Sequence, residues 1–178
     1  MRPTYTYITI AFVTAVVAIV LAQGVRGARG VETGFAVPEF TVADLDGAAL
    51  SSADWRGKVV VVNFWATWCG PCEREIPDFI AMQERYRDHV QFVGLAIDAE
   101  SVDEVRAFAE RHGINYPVAI VGPELEEQFG GILGLPTSFV VDRQGRVVQT
   151  HIGWVSPGLY EQGVRVLAGL PLEGDTLF

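Results

Sequence analysis

The chain reads Val-Val-Val-Val-Asn-Phe-Trp-Ala-Thr-Trp-Cys-Gly-Pro-Cys from Val59 to Cys72, and this stretch decides the fold. A short run rich in β-branched residues is typical of a buried strand. The apolar side chains that follow recur at helical spacing, at Ile76, Phe79, Ile80 and Tyr86. The sequence therefore predicts a strand, a tight turn that carries the cysteines, and a helix from about Pro71 to His89.

Cys69 and Cys72 are the only 2 cysteines of the chain. At a helix N-terminus, unpaired N–H groups and the helix dipole favour thiolate over thiol. An ordinary thiol has a pKa of ~8.5, and the pKa of a thiol at such a site is lower by one to several pH units. With only Gly70 and Pro71 between them, the two sulfurs come within bonding distance, and a mixed disulfide formed at Cys69 can be resolved by Cys72. Pro71 also fits the first turn of a helix, where a missing N–H is not needed.

Two other interpretations of the cysteine pair are a zinc site and a static disulfide. Zinc generally takes four ligands, and His89, His112 and His151 are too scattered in the sequence to form a ligand pair by spacing. A static bridge that closes so small a loop constrains the unfolded chain very little. We therefore favour a redox couple, and we expect no cofactor and no metal.

The N-terminal segment has the layout of an export signal. Residues 8–22 carry no charge, and Arg2 precedes them. We interpret residues 1–22 as a signal peptide or a membrane anchor, and favour the anchor because a start at Tyr5 gives the ~20 residues that a span needs. Two observations argue against the anchor. Val20-Leu21-Ala22 resembles a cleavage site, and Arg26 and Arg29 lie on the translocated side of the segment, which should carry fewer positive charges.

Both alternatives place the rest of the chain in the cell envelope. An anchored domain would lie on the periplasmic or other extracytoplasmic side, and a cleaved one would be exported and soluble.

The glycine-rich residues 23–34 predict a flexible tether, followed by a domain over residues 35–178. The net charge of −9 disfavours nonspecific nucleic-acid binding.

The domain is predicted to be α/β, with a mixed sheet covered by helices on both faces. An N-terminal hairpin precedes the central strand, and strands then alternate with helices before a closing antiparallel hairpin. The predicted later elements are strands at 90–97 and 116–120, helices at 101–111 and 124–129, strands at 138–142 and 147–152, and a helix at 157–168. Ser101 is the expected cap of the second helix.

Several motifs carry a resemblance to a known family. They are Val37-Pro38-Glu39-Phe40, Asp44-Leu45-Asp46-Gly47, Arg56-Gly57-Lys58, Asn63 to Cys72, Glu75-Ile76-Pro77, and Gly134-Leu135-Pro136-Thr137-Ser138-Phe139. With these residues the chain resembles the thioredoxin superfamily, and more closely the exported TlpA/ResA-like thiol-disulfide oxidoreductases. The resemblance runs from about Phe35 to Gly169 and implies a thioredoxin-like fold, with a central insertion from Tyr116 to Phe129.

The resemblance also implies roles at the site. Cys69 would be the exposed nucleophile and Cys72 the resolving thiol, with Gly70 and Pro71 in the substrate groove. Pro136 would form a cis peptide that faces the cysteines. Its role would be to expose the backbone of Leu135 for strand-like pairing with a substrate. The sequence alone predicts only a turn there.

Three further residues are singled out near the cysteines. Trp68, next to the nucleophile, is expected to touch a partner. Asn63 stands where thioredoxin has a buried aspartate, so a carboxylate relay at that position is absent. Glu75 matches an acidic residue of the TlpA/ResA-like group and is a candidate to take a proton or tune the thiol pKa values. The alternative is an ordinary carboxylate that stabilises the first helical turn.

The sequence is compatible with three functions. The first is a thiol-disulfide oxidoreductase that acts on exported proteins; the resemblance implies a reductant, with apocytochrome c as a candidate substrate and a membrane thiol carrier as electron donor. The second is a peroxiredoxin-like thiol peroxidase, which is weakened because Ala66 stands where those enzymes have a threonine. The third is a Cu(I)-binding module, since thiolates suit soft metals. The sequence does not fix the direction of electron flow, although Gly70 and Pro71 favour a reductant.

Overall fold

The computed structural model describes residues 34–97 and 101–171. In this part the strands are β1 (Thr41–Ala43), β2 (Ala49–Ser51), β3 (Val59–Trp65), β4 (Val90–Ala96), β5 (Val118–Ile120), β6 (Thr137–Val141) and β7 (Val147–Ile152). The helices are α1 (Gly70–Tyr86), α2 (Val102–His112), α3 (Pro123–Gln128) and α4 (Pro157–Ala168), and a 3-10 turn covers Ser52–Trp55. These elements agree with the predicted ones to within a few residues.

The valine-rich run forms the central strand of a five-stranded mixed sheet. The strand order is β5-β4-β3-β6-β7, with β3, β4 and β5 parallel and with β6 antiparallel to both β3 and β7. All seven residues of β3 are buried. A strand covered on both faces reads as a continuous apolar run rather than an alternating one, which explains the composition of this segment.

Helices cover both faces of the sheet, as predicted. On one face Val59 and Val61 pack against α1, α2 and α4. On the other face Val60 and Val62 pack against α3 and the hairpin of β1 and β2. The sequence thus folds into the thioredoxin-like α/β arrangement that its motifs imply.

Helix α1 begins directly at the cysteine pair. Cys69 is its N-cap residue, and its Sγ accepts a hydrogen bond from the backbone N–H of Cys72 at 3.2 Å. Pro71 lies in the first turn, where its missing N–H removes no helical bond. The helix continues through Pro77 to Tyr86. The cysteines therefore lie at the carboxyl end of β3, where the loop from the central strand enters the helix.

The expected insertion supplies the edge strand β5 and the short helix α3. The segment after β1 holds this edge, because the Leu45 N–H donates to the Val118 carbonyl at 2.9 Å and Asp44 bridges to Ala119. Ser101 caps α2 as predicted, since its hydroxyl accepts from the Glu104 N–H at 3.3 Å.

No helix within the described ranges is long and apolar enough to span a bilayer. Residues 1–33 contain the predicted signal or anchor segment and nearly all of the predicted tether. They lie outside the described residues.

Candidate active site

Cys69 and Cys72 form a disulfide at the start of α1. Their sulfurs are 2.01 Å apart, and their Cα atoms are separated by 5.2 Å. The latter distance lies within the usual range for bridged cysteines, so the helical turn accommodates the bond without displacing the backbone. The two-residue spacing therefore brings the sulfurs together as predicted.

The two cysteines differ in their access to solvent. Cys69 lines a surface groove, whereas Cys72 is not among the residues that line it. Cys69 is more covered than an exposed nucleophile should be, at 5% exposed, and Cys72 is 1% exposed. The Cys69 sulfur is bonded to Cys72 and also accepts its N–H. The groove is therefore a route by which a partner can reach Cys69.

The groove is apolar. Its lining residues carry no charge and are Trp68, Cys69, Gly70, Pro71, Ile97, Ile132, Leu133, Gly134 and Leu135. Trp68 is 72% exposed and Leu133 is 86% exposed. Large apolar side chains left in contact with water beside one groove are typical of a surface that binds a partner. The sequence indicated Trp68 and Leu135 for this surface but not Ile97, Ile132 or Leu133.

The Leu135–Pro136 peptide bond is cis, as the resemblance implies. The carbonyl of Pro136 accepts from the Gly153 N–H at 2.7 Å, and the Thr137 hydroxyl donates to the Gly134 carbonyl at 2.6 Å. These bonds fasten the loop to the start of β6 and the end of β7. Leu135 lines the groove, while Pro136 is not among its lining residues.

Glu75 is buried on the inner face of α1, one turn after Cys72. The Asn63 amide donates to its Oε1 at 2.7 Å, and its Oε2 has no hydrogen-bond partner in the described part of the chain. The pKa of Glu75 is raised to about 8. Burial is the largest cause and raises it, the Asn63 hydrogen bond lowers it, and the negative charge of Asp78 raises it. Glu75 is therefore not an exposed, ionised carboxylate at the first helical turn.

One serine bonds to Asn63, and two tyrosines interact electrostatically with Glu75. Ser138 of β6 lies opposite Asn63 in the sheet, and its Oγ accepts from the Asn63 amide at 2.9 Å. Burial and the charge of Glu75 both raise the pKa of Tyr116 and of Tyr160. Sequence reasoning missed these three residues. The alternation of β6 places Ser138 on the same face as Val140, but nothing in the sequence shows that this face meets Glu75.

The arrangement can support thiol-disulfide exchange. A helix N-terminus stabilises a thiolate at Cys69, since its N–H groups and dipole favour negative charge. Cys72 supplies the second sulfur of the Cys69–Cys72 disulfide. Glu75, the buried carboxyl one turn later, has a pKa close to that of an ordinary thiol. Within the described residues, no group of three or more His, Cys, Asp and Glu side chains is placed to hold a metal ion.

Comparisons with known proteins agree with this chemistry. A family model described as Redoxin matches residues 32–164. The chain is 38% identical over 120 residues to the thiol-disulfide oxidoreductase ResA of Bacillus thuringiensis subsp. konkukian, over 66% of this chain and 68% of that protein. It is 31% identical over 135 residues to the thioredoxin-like protein YneN of Bacillus subtilis, over 75% of this chain and 79% of that one.

A solved structure has a similar fold. The crystal structure of a putative thiol:disulfide interchange protein DsbE from Chlorobium tepidum is similar with a TM-score of 0.72 and 30% sequence identity. The similarity covers 79% of this chain and 100% of that chain. The solved structure thus shares the fold, and its name and that of ResA both describe thiol-disulfide chemistry.

Proposed function

Because the chain belongs to the Redoxin family, and within the thioredoxin superfamily is a ResA-like thiol-disulfide oxidoreductase, we propose that it reduces disulfides in exported proteins. The observation that carries the proposal is the position of the Cys69–Cys72 pair, with Cys69 alone of the two in an uncharged groove. An extended protein segment that contains a disulfide fits such a surface better than a small charged thiol. We include apocytochrome c among the candidate substrates, as the family resemblance implies.

The first step is attack by the Cys69 thiolate on one sulfur of the partner's disulfide. A bond forms between Cys69 Sγ and that sulfur, and the partner's other sulfur leaves as a thiolate that takes up a proton. In this mixed disulfide the partner lies in the groove, where Trp68 and Leu135 are placed to contact it. The cis peptide at Pro136 presents the neighbouring backbone for strand-like pairing.

The second step resolves the mixed disulfide. In the fraction of molecules whose Glu75 is ionised, Cys72 gives its proton to this carboxylate and attacks Cys69 Sγ. The partner's sulfur leaves as a second thiolate and is protonated. Two thiols of this chain are thereby oxidised and one partner disulfide is reduced. A pKa of about 8 for Glu75 suits the transfer, because it lies near the ~8.5 of an ordinary thiol.

Each cycle leaves Cys69 and Cys72 oxidised, so a donor must return two electrons. We propose a membrane thiol-disulfide carrier as that donor, together with a location in the cell envelope. The support is the uncharged stretch of residues 8–22, which has the layout of an export signal or anchor. Gly70 and Pro71, between the cysteines, support reduction rather than oxidation as the physiological direction.

The reduction potential of the Cys69–Cys72 couple tests the direction of the reaction. We expect a value below about −200 mV, in the range of thioredoxins and glutaredoxins rather than of the strong oxidant DsbA at about −120 mV. The measurement is equilibration of the purified protein with glutathione or dithiothreitol buffers, followed by alkylation and mass spectrometry. A potential above about −150 mV would make the protein an oxidant and would overturn the proposed direction.

A further inference from the structure

A buried polar cluster consists of Asn63, Glu75 and Ser138, and its member Glu75 lies one helical turn after Cys72. The Asn63 amide nitrogen donates to Glu75 Oε1 at 2.7 Å and to Ser138 Oγ at 2.9 Å. All three residues are buried. The two bonds use both hydrogens of the amide, so the orientation of the Asn63 side chain is fixed.

The sheet holds Asn63 in this position from both sides. Asn63 lies in the middle of β3, between Ser138 of β6 and Gly94 of β4. A Cβ atom on Gly94 would lie 2.9 Å from the indole nitrogen of Trp65, so the Trp65 ring fills the space that glycine leaves. The amide donor is therefore part of a buried, closely packed strand, while Glu75 reaches it from α1.

The two oxygens of Glu75 have different surroundings. Oε1 is held by Asn63, and Oε2 is buried with no partner in the described part of the molecule. We propose that Asn63 is a positioning residue for the exchange reaction: its amide fixes Oε1 so that Oε2 remains the oxygen that exchanges a proton with Cys72. This inference rests on the proposed function, in which Glu75 accepts the Cys72 proton.

The same amide sets the proton affinity of Glu75. An N–H donor interacts more strongly with a carboxylate than with a neutral carboxylic acid. Asn63 thus lowers the pKa of Glu75 against burial, which raises it. The other titratable group that shifts the pKa of Glu75 is Asp78 of α1, whose charge raises it. The charge of Glu75 in turn raises the pKa of Tyr116, before β5, and of Tyr160 of α4. None of them donates to Oε1 in the structure, so Asn63 is the group whose loss would make Glu75 a poorer base at neutral pH.

The first test is the titration of Glu75 in the oxidised, full-length Asn63→Leu variant. The cysteines do not titrate in the disulfide form, and the carboxyl carbon of Glu75 can be followed by NMR, with Glu75→Gln identifying its signal. We expect the midpoint to rise by about one pH unit or more, which is the usual effect of losing a charge-assisted hydrogen bond. An unchanged midpoint in a folded variant would overturn the inference.

Asn63→Asp provides a second variant of the same size in case the leucine variant does not fold. Two carboxyl groups at hydrogen-bond distance share a proton, so we expect two coupled titration steps, one below and one above the wild-type midpoint. Two independent titrations, with the Glu75 midpoint unmoved, would overturn the inference.

Gln83→Leu is the matched control. Gln83 is another buried amide that contacts a strand, because its Oε1 accepts from the Phe92 N–H at 2.7 Å. Its replacement removes a buried hydrogen bond from α1 and should leave the Glu75 midpoint unchanged. An equal shift in this control would show that the effect of Asn63 is general destabilisation, which contradicts a specific role.

Kinetics separate this inference from the proposed function. In Asn63→Leu, the pH at which the mixed disulfide is resolved at half its maximal rate should rise together with the Glu75 midpoint. If Glu75→Gln resolves the mixed disulfide as fast as the wild type, the proposed proton transfer fails although Asn63 still shifts the Glu75 titration. If the midpoint of the Glu75 titration is unchanged in both Asn63 variants, the inference about Asn63 fails and the proposed function does not.

Discussion

Replacement of Cys69 by serine is expected to lower the rate of disulfide turnover by at least about a thousandfold, because a hydroxyl at this position cannot act as the attacking thiolate. The structure explains why Cys72 cannot substitute. Cys69 lines the groove, whereas Cys72 is 1% exposed and is not among the groove residues. The measurement is turnover of a protein disulfide with a chemical reductant as the electron donor.

Cys72→Ser is the matched control for this prediction. Both variants lose the same disulfide, which closes a very short loop and adds little stability, so they should fold equally well. Cys72→Ser should still attack a partner and then accumulate the mixed disulfide at Cys69, since no thiol remains to release it. The assignment of roles would be contradicted if Cys69→Ser formed the stable adduct, or if it retained wild-type turnover.

Glu75→Gln is expected to remove a pH dependence of stability. The pKa of Glu75 is about 8 in the folded protein, against a value of 4.5 for an ordinary glutamate. Between these values the folded state binds one more proton than the unfolded state, so the free energy of unfolding falls as the pH rises through this window. The slope from this group is a little over 1 kcal/mol per pH unit, or roughly 5 kcal/mol in total, and it vanishes above pH 8.

The measurement is denaturant unfolding of both proteins in the disulfide form from pH 5 to pH 9. Glutamine has nearly the same shape and cannot ionise, so its advantage over the wild type should grow with pH and then level off near pH 8. Glu73→Gln is a suitable control, because Glu73 is an exposed carboxylate in the first turn of the same helix. Parallel curves for the wild type and Glu75→Gln would show that Glu75 does not bind the extra proton.

The central part of the fold follows from the sequence. The valine run predicts β3 because a strand buried on both faces has no alternation, and the apolar spacing after Cys72 predicts α1. The chemistry of the cysteine pair follows from the same stretch. These signals are local, so they can be recognised without knowing which elements meet in space.

The surroundings of the cysteines could not be predicted in the same way, because they depend on long-range register. The bond between Asn63 and Ser138 joins residues 75 positions apart and requires β6 to pair with β3 in one particular alignment. The groove likewise combines Trp68 with Ile97 and the segment 132–135, which come from three separate parts of the chain. Leu133 gave no signal in the sequence, since a single leucine in a loop does not reveal that it stays exposed.

Alkylation of the reduced protein across a pH series tests most directly whether Cys69 is the ionised and accessible thiol. With a limiting amount of iodoacetamide and mass spectrometry of the modified peptide, the mechanism predicts that Cys69 reacts first and with a midpoint well below the ~8.5 of an ordinary thiol. Cys72 should remain unmodified over the same range, because it is buried behind the groove. A Cys69 that stays unreactive until the pH exceeds ~8.5, or a Cys72 that reacts first, would contradict the mechanism.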